Sequence, residues 1–171
     1  VFACDNGEID LQLLPQEEQK EYNRLRKISQ KNITPEEQAR LYALTVLERT
    51  IIEEHLAKVK SLHSIEEKNK YVRELYQTHS KGKNLVQDTY LANYRIGKND
   101  FHLDVHLLDG VDYTGKVDLM VGGSPCQSFS TNGKRGGFAD TRGTLFHEFA
   151  RIIDEVQPKC FIFENVKGLI L

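Results

Sequence analysis

A cysteine and a glutamate in the last third of the chain have the right types for chemistry on an electron-poor ring. Cys126 lies in a Gly-Gly-Ser-Pro-Cys-Gln turn, where the glycines let the backbone approach a ligand closely. Glu164 directly follows the apolar run 160–163. A fraction of any free thiol is thiolate at neutral pH, and thiolate is a strong nucleophile. The pair suits conjugate addition, in which the thiolate adds to a ring carbon while the acid protonates a ring nitrogen.

Taken singly, each of these two residues also has a structural interpretation. A free cysteine is among the most buried residue types and is commonly inert. A glutamate at a strand end is commonly a surface carboxylate. Their joint placement after predicted strands favours the catalytic interpretation.

Short apolar runs with β-branched or aromatic residues predict the strands that would position this pair. The runs are 1–4, 101–105, 117–121 and 160–163, with helical patterns at 85–94 and 145–156. Strand and helix alternating at this spacing predict an α/β fold of the doubly wound type, a parallel sheet with crossover helices. Ligands bind beyond the carboxyl ends of the strands in such sheets, so the residues that follow each strand are the binding candidates.

Residues 7–83 have a different character and are interpreted as a helical insertion. Thr34-Pro35-Glu36-Glu37 predicts a capping box and a helix that begins at Pro35, and Ser64-Ile65-Glu66-Glu67 predicts a second box. A weaker pattern over 14–28 predicts a third helix. Basic and acidic residues nearly cancel here, which favours a solvated helical hairpin over a DNA-binding arm. A lid, a partner surface and plain decoration all stay open as its role.

Composition narrows the class of protein. The 171 residues carry 23 Lys and Arg against 25 Asp and Glu, so a polyanion would have to meet a local basic patch. No apolar run approaches the roughly 20 residues that span a bilayer, which predicts a cytoplasmic protein.

The three cysteines are too scattered for a disulfide framework, and Cys4 and Cys160 are expected in the core. The six histidines show no ligand spacing, so no metal is expected.

Three motifs in a fixed order resemble the cytosine-5 DNA methyltransferase family. They are Val-Gly-Gly-Ser-Pro-Cys-Gln-Ser-Phe-Ser at 121–130, Asp-Thr-Arg-Gly-Thr-Leu-Phe at 140–146 and Phe-Glu-Asn-Val at 163–166. Their compact spacing and their placement after predicted strands agree together. The resemblance covers residues 1–6 and 84–171 as a catalytic domain, and implies a Rossmann-like sheet that uses S-adenosylmethionine.

The resemblance implies a role for each of the two reactive residues. Cys126 is similar to the nucleophile that adds to C6 of cytosine, and Glu164 to the residue that contacts N3 and the exocyclic amine. C5 then accepts the methyl group of S-adenosylmethionine, a base removes the C5 proton, and elimination releases Cys126 and 5-methylcytosine. The cytosine must leave the stack of double-stranded DNA to reach such a site.

The resemblance also implies a set of cofactor contacts. Asp5 is similar to the acidic residue that holds the ribose hydroxyls, and Asn6 lies where the family often stacks a larger side chain on adenine. Asp104 and its neighbour are similar to the pair that meets the adenine amino group and ring, with Asp100 and Asp109 as competitors. The full expected set is Asp5, Asn6, Asp104, Val105, Gly123, Pro125 and Leu145.

The segment 128–143 resembles the family's mobile loop that closes over DNA. Hydroxyls and cations on a glycine-rich backbone suit phosphate contacts, which position a duplex without reading its sequence. An ordinary polar loop is the alternative. The expected DNA contacts are Gln127, Ser128, Ser130, Lys134, Arg135 and Arg142.

Two features of the family are expected outside this stretch of sequence. The family's first strand and Phe-x-Gly-x-Gly loop would precede residue 1, and its later motifs and recognition region would follow residue 171. We therefore expect an internal fragment, inactive alone, of a prokaryotic restriction–modification enzyme that works on nucleoid DNA. An RNA-directed relative that modifies tRNA, and a non-catalytic interaction fragment that works through its helices, stay open as alternatives.

Overall fold

The computed structural model describes residues 2–5, 9–29, 32–123 and 144–165. Within them the chain is mixed α/β, and its short strands pair in parallel, as the alternating pattern predicts. The helices are α1 (Gln16–Leu25), α2 (Pro35–Lys60), α3 (Ile65–His79), α4 (Leu85–Asn93) and α5 (Thr144–Val156). The strands are β1 (Ala3–Cys4), β2 (Phe101–His102), β3 (Leu119–Gly123) and β4 (Cys160–Glu164).

The chain divides into two compact units, residues 2–107 and residues 108–171. The first unit holds α1 to α4 with the paired strands β1 and β2, and the second holds α5 with the paired strands β3 and β4. This division does not decide the expected boundary between an insertion at 7–83 and a catalytic domain. That boundary stays a prediction.

The helix starts in the first unit follow from their caps. The Thr34 hydroxyl accepts a hydrogen bond from the Glu37 N–H, and the Glu37 carboxylate accepts one from the Thr34 N–H, so the first capping box is confirmed. The Ser64 hydroxyl accepts from the Glu67 N–H. The Glu67 carboxylate, however, accepts from the His63 backbone N–H and not from the Ser64 N–H, which a capping box requires.

Two hydrophobic clusters hold these helices together. One consists of Leu14, Tyr22, Leu25 and Leu44, and the other of Val59, Val72, Leu75, Tyr76 and Leu107. Helix α2 supplies Leu44 to the first and Val59 to the second, about 22 Å apart along its axis. A single long helix therefore connects the two clusters. No helix in the described part of the chain has the length and apolar character that crossing a membrane requires.

Helix α5 covers one face of the β3–β4 pair in the second unit. The ring centroids of Phe149 and Phe163 are 5.0 Å apart, and Ile152 and Val156 are fully buried. The Arg151 guanidinium binds the carboxylates of Glu148 and Glu155 and donates to the Leu108 carbonyl oxygen. These contacts attach α5 to the chain segment that leads into β3.

The prediction that Cys4 and Cys160 belong to the core is wrong for Cys160. Cys160 is exposed and Cys4 is half-buried. Alternate residues of a strand point to opposite faces, and Cys160 shares the face of β4 opposite α5 with Ile162. Ile162 is 55% exposed, and Val121 on the same face of β3 is 64% exposed. An apolar strand therefore indicates burial only where another element covers that face.

A partly buried hydrogen bond joins α1 to α2. The Tyr22 hydroxyl donates to the Glu48 carboxylate at 2.7 Å, and the Tyr22 side chain is almost completely buried. Burial raises the pKa of both groups, which favours the neutral tyrosine hydroxyl as the donor. The contact gives a donor to a carboxylate that the packing of α1 partly removes from water.

Tyr22→Phe is expected to weaken the packing of α1 on α2, because the Glu48 carboxylate would lose the hydroxyl that donates to it. A lost hydrogen bond to a half-buried acceptor costs roughly 0.5–1.5 kcal/mol. Hydrogen exchange measured on peptides of the two helices should report that loss. Tyr42→Phe is the control, because Tyr42 lies on α2 and is 72% exposed. Equal protection in the two variants would contradict this role for Tyr22.

Candidate active site

The ends of β3 and β4 bring two predicted site residues together. Gly123 pairs with Glu164 at the carboxyl ends of the two parallel strands, and both residues are exposed. A Cβ on Gly123 would lie 2.6 Å from the Glu164 carbonyl oxygen and 3.4 Å from its Oε2. The glutamate backbone and carboxylate therefore occupy space that any other residue at 123 would fill.

Aromatic packing behind this edge fixes the strand that carries Glu164. The Phe163 ring lies between two rings of α5, 5.4 Å from Phe146 and 5.0 Å from Phe149. A Cβ on Gly122 would lie 2.5 Å from the Phe149 ring, so α5 also packs tightly on β3. Because neighbouring strand residues point to opposite faces, Phe163 points towards α5 and Glu164 points away from it.

The predicted nucleophile and the predicted DNA contacts lie outside the described residues. Leu145 is described and lies half-buried in the first turn of α5. The predicted residues outside the described part are Asn6, Pro125, Cys126, Gln127, Ser128, Ser130, Lys134, Arg135 and Arg142. Within residues 2–5, 9–29, 32–123 and 144–165, no three His, Cys, Asp or Glu side chains are grouped as metal ligands.

Asp5 lies at the end of β1 in the other unit. Its N–H donates to the His102 carbonyl oxygen at 3.1 Å, which extends the β1–β2 ladder by one bond. Its carbonyl oxygen accepts from the Asn84 side-chain amide at 2.9 Å, and Asn84 also caps the start of α4. Asp5 is exposed. Its position at a strand end agrees with the position that ligand-binding carboxylates occupy in parallel sheets.

Asp104 follows the neighbouring strand and ends it. Strand β2 is predicted to reach residue 105 but stops at His102, because the Asp104 carbonyl oxygen accepts from the Leu107 N–H and starts a helical turn. The Asp104 side chain is buried. Val105 opens the turn and is half-buried. Asp5 and Asp104 thus follow the carboxyl ends of two paired strands.

The Asp104 carboxylate is held by two residues that the sequence analysis did not identify. Oδ2 accepts from the Tyr76 hydroxyl at 2.9 Å. Oδ1 accepts from the His106 N–H at 2.9 Å and lies 2.8 Å from the His106 Nδ1. Burial by itself would raise the pKa of this carboxyl, but the hydrogen bonds and charge of His106 and the Tyr76 hydrogen bond hold the pKa below its ordinary value.

Two signals in the sequence could have identified these partners. An aspartate followed two residues later by a donor is a common local turn, which accounts for His106. Tyr76 lies on the apolar face of a predicted helix, and a buried tyrosine hydroxyl needs a polar partner. Asp109, the alternative candidate for the adenine contact, accepts from the Val111 N–H and caps a short helical turn.

Gly123→Ala is expected to disturb the end of the β3–β4 pair, because the new Cβ meets a backbone oxygen that cannot move aside alone. Overpacking of this kind costs roughly 1–3 kcal/mol. Thermal unfolding and hydrogen exchange of the β3 and β4 peptides should both report the loss. Gly97→Ala is the control, since its Cβ would meet only the movable carboxylate of Asp100. Equal stability of the two variants would contradict this requirement for glycine.

Curated methyltransferases are similar to parts of the chain. The orphan methyltransferase M.SPRI of Bacillus phage SPR is 68% identical over 55 residues, 32% of this chain and 12% of that protein. The type II methyltransferase M.PspPI of Psychrobacter sp. is 49% identical over 81 residues, 46% of this chain and 20% of that protein. M.Sau96I of Staphylococcus aureus, also a type II methyltransferase, is 56% identical over 77 residues, 45% and 18% respectively.

The matched part of the chain thus spans about a fifth or less of these three relatives. The family model of the C-5 cytosine-specific DNA methylases matches residues 76–171. That segment is more than half of the chain and includes β2, β3, α5 and β4. It also contains the Pro-Cys-Gln and Phe-Glu-Asn-Val motifs, so the resemblance seen in the sequence is confirmed. The chain belongs to the C-5 cytosine-specific DNA methylase family.

Proposed function

We propose that the chain is part of a DNA (cytosine-5-)-methyltransferase of a prokaryotic restriction–modification system, acting on double-stranded DNA in the cytoplasm. The observation that carries the proposal is the Glu164 carboxylate, exposed at the carboxyl end of β4 beside Gly123. Gly123 precedes Cys126 by three residues in the Pro-Cys-Gln motif. Both motifs fall inside the family match.

The lengths involved support a thiol and a carboxylate that act on one ring. Three peptide units span at most roughly 11 Å, and Cys126 is tethered by that length to the residue that pairs with Glu164. Because residue 123 is a glycine, the Glu164 backbone and carboxylate can lie directly against the end of β3. The tether to Cys126 thus begins at the residue that the Glu164 carboxylate adjoins.

In the proposed reaction, the Cys126 thiolate forms a bond to C6 of the cytosine, and the ring electrons move towards N3 and C5. Glu164 holds a proton at N3 and accepts a hydrogen bond from the exocyclic amine, which stabilises the charge that develops on the ring. S-adenosylmethionine, when bound, supplies the methyl group that C5 takes. Loss of the C5 proton to a base then breaks the bond between Sγ and C6 and releases the thiolate.

The side chains that follow β1 and β2 fit such a cofactor chemically. A ribose carries two adjacent hydroxyls, which an exposed carboxylate such as Asp5 can accept together. Adenine presents an exocyclic amine, for which Asp104 is an acceptor and Val105 the neighbouring contact. We assign the remaining contacts to Asn6, Gly123, Pro125 and Leu145.

The remaining parts of the proposal concern fold and DNA contact. The parallel pairing of β1 with β2 and of β3 with β4 supports a Rossmann-like sheet. We assign residues 7–83 to a helical insertion and residues 1–6 with 84–171 to the catalytic domain. Hydroxyls and cations of the segment after Cys126 would bind phosphates. These contacts are assigned to Gln127, Ser128, Ser130, Lys134, Arg135 and Arg142.

The substrate is tested by incubating the whole protein that contains this sequence with methyl-labelled S-adenosylmethionine and either duplex DNA or tRNA. Label is expected in the cytosine of DNA. Label in tRNA alone would show the RNA-directed alternative to be correct.

Two substitutions test the assigned roles by the rate of methyl transfer to DNA. Cys126→Ser is expected to abolish transfer, because a hydroxyl is a far weaker nucleophile than a thiolate. Glu164→Gln keeps the shape but cannot transfer a proton to N3, so a fall of roughly 10²- to 10⁴-fold is expected.

Cys160→Ser is the matched control for both variants. Cys160 is an exposed cysteine at the opposite end of the strand that carries Glu164. Its substitution is expected to leave the rate unchanged. A rate lost in Cys160→Ser and kept in Cys126→Ser would reverse the assignment of the nucleophile.

A further inference from the structure

The buried carboxylate of Asp104 can accept only a limited number of hydrogen bonds, and a ligand can use only those that the protein leaves. An ionised carboxylate offers about four acceptor positions, two on each oxygen. Among the described residues, the His106 N–H donates to Oδ1, the His106 Nδ1 lies 2.8 Å from the same oxygen, and the Tyr76 hydroxyl donates to Oδ2. One acceptor position therefore remains, on the oxygen that Tyr76 already binds.

Helix α3 holds the β2 strand on both sides. Asn69 donates to the Asn99 carbonyl oxygen just before β2, and Tyr76 donates to Asp104 just after it. The two helix residues are seven positions apart, about two turns, and so lie on the same face of α3. Both are buried. One helix face thus sets where β2 begins and how the carboxylate after it is oriented.

The ring and the hydroxyl of Tyr76 have separable roles. The ring packs in the cluster with Val72, Leu75 and Leu107, which gives it a structural function independent of Asp104. The hydroxyl alone reaches the carboxylate, across 28 positions of sequence. Replacement by phenylalanine removes the second role and keeps the first.

We propose that Tyr76 is a positioning residue for Asp104, so that helix α3 is a working part of the cofactor site and not decoration. The Tyr76 hydroxyl fixes Oδ2 with its remaining acceptor position directed at the adenine amine, while His106 fixes Oδ1. This inference rests on the proposed function, since it takes Asp104 to be the adenine contact.

The test measures binding of S-adenosylhomocysteine to the whole protein by calorimetry. Tyr76→Phe is expected to raise Kd roughly tenfold, as a lost hydrogen bond to a charged group does. Tyr71→Phe is the matched control, because Tyr71 lies on the same helix and its hydroxyl contacts the His55 Nδ1 at 2.6 Å. Its Kd is expected to equal that of the unaltered protein.

A double-mutant cycle separates positioning from general stability. If Tyr76 acts through Asp104, then adding Tyr76→Phe to Asp104→Ala leaves Kd where Asp104→Ala alone puts it. A further roughly tenfold loss in that background would overturn the proposal, and so would equal Kd values for Tyr76→Phe and Tyr71→Phe.

The outcomes also distinguish this inference from the proposed function. An unaltered protein that does not bind S-adenosylhomocysteine contradicts the proposed function and this inference with it. An unaltered protein that binds, weakened by Asp104→Ala and not by Tyr76→Phe, contradicts the role of Tyr76 alone.

Discussion

The parallel register of β3 and β4 is the constraint on which the proposed chemistry depends. Because Gly123 pairs with Glu164, the two chain segments that carry the family's reactive motifs leave the sheet at the same edge. A shift by one residue would turn Glu164 towards α5 and its aromatic rings. The packing of Phe163 between Phe146 and Phe149 opposes such a shift, since the shift would break the contacts of the Phe163 ring with both rings. The same register thus packs Phe163 against α5 and points the Glu164 carboxylate away from it.

A second constraint operates in the other compact unit. A carboxylate removed from water needs donors, and Asp104 obtains them from its own turn and from a helix distant in sequence. Helix α3 therefore helps to orient the Asp104 carboxylate, which follows β2. A related contact joins α1 to α2, where the Tyr22 hydroxyl donates to the half-buried Glu48 carboxylate.

Local signals predicted more of the fold than of the site. Capping residues placed the start of α2, and alternation of short apolar runs indicated parallel strands, because both depend on neighbours in sequence. The Tyr76–Asp104 contact spans 28 positions and depends on how helices pack, so periodicity could not predict it. Cys160 shows the converse limit: an apolar strand pattern predicted burial, but exposure depends on what covers each face.

We propose that Cys126 is the nucleophile of a cytosine-5 methyltransferase. The most direct measurement is covalent trapping of the whole protein on duplex DNA that carries 5-fluorocytosine, from which no C5 proton can leave, followed by mass spectrometry of tryptic peptides. The three cysteines fall on three different tryptic peptides, and Cys126 falls on 117–134. We expect a cofactor-dependent adduct on that peptide. No adduct, or an adduct on the peptide of Cys4 or Cys160, would contradict it.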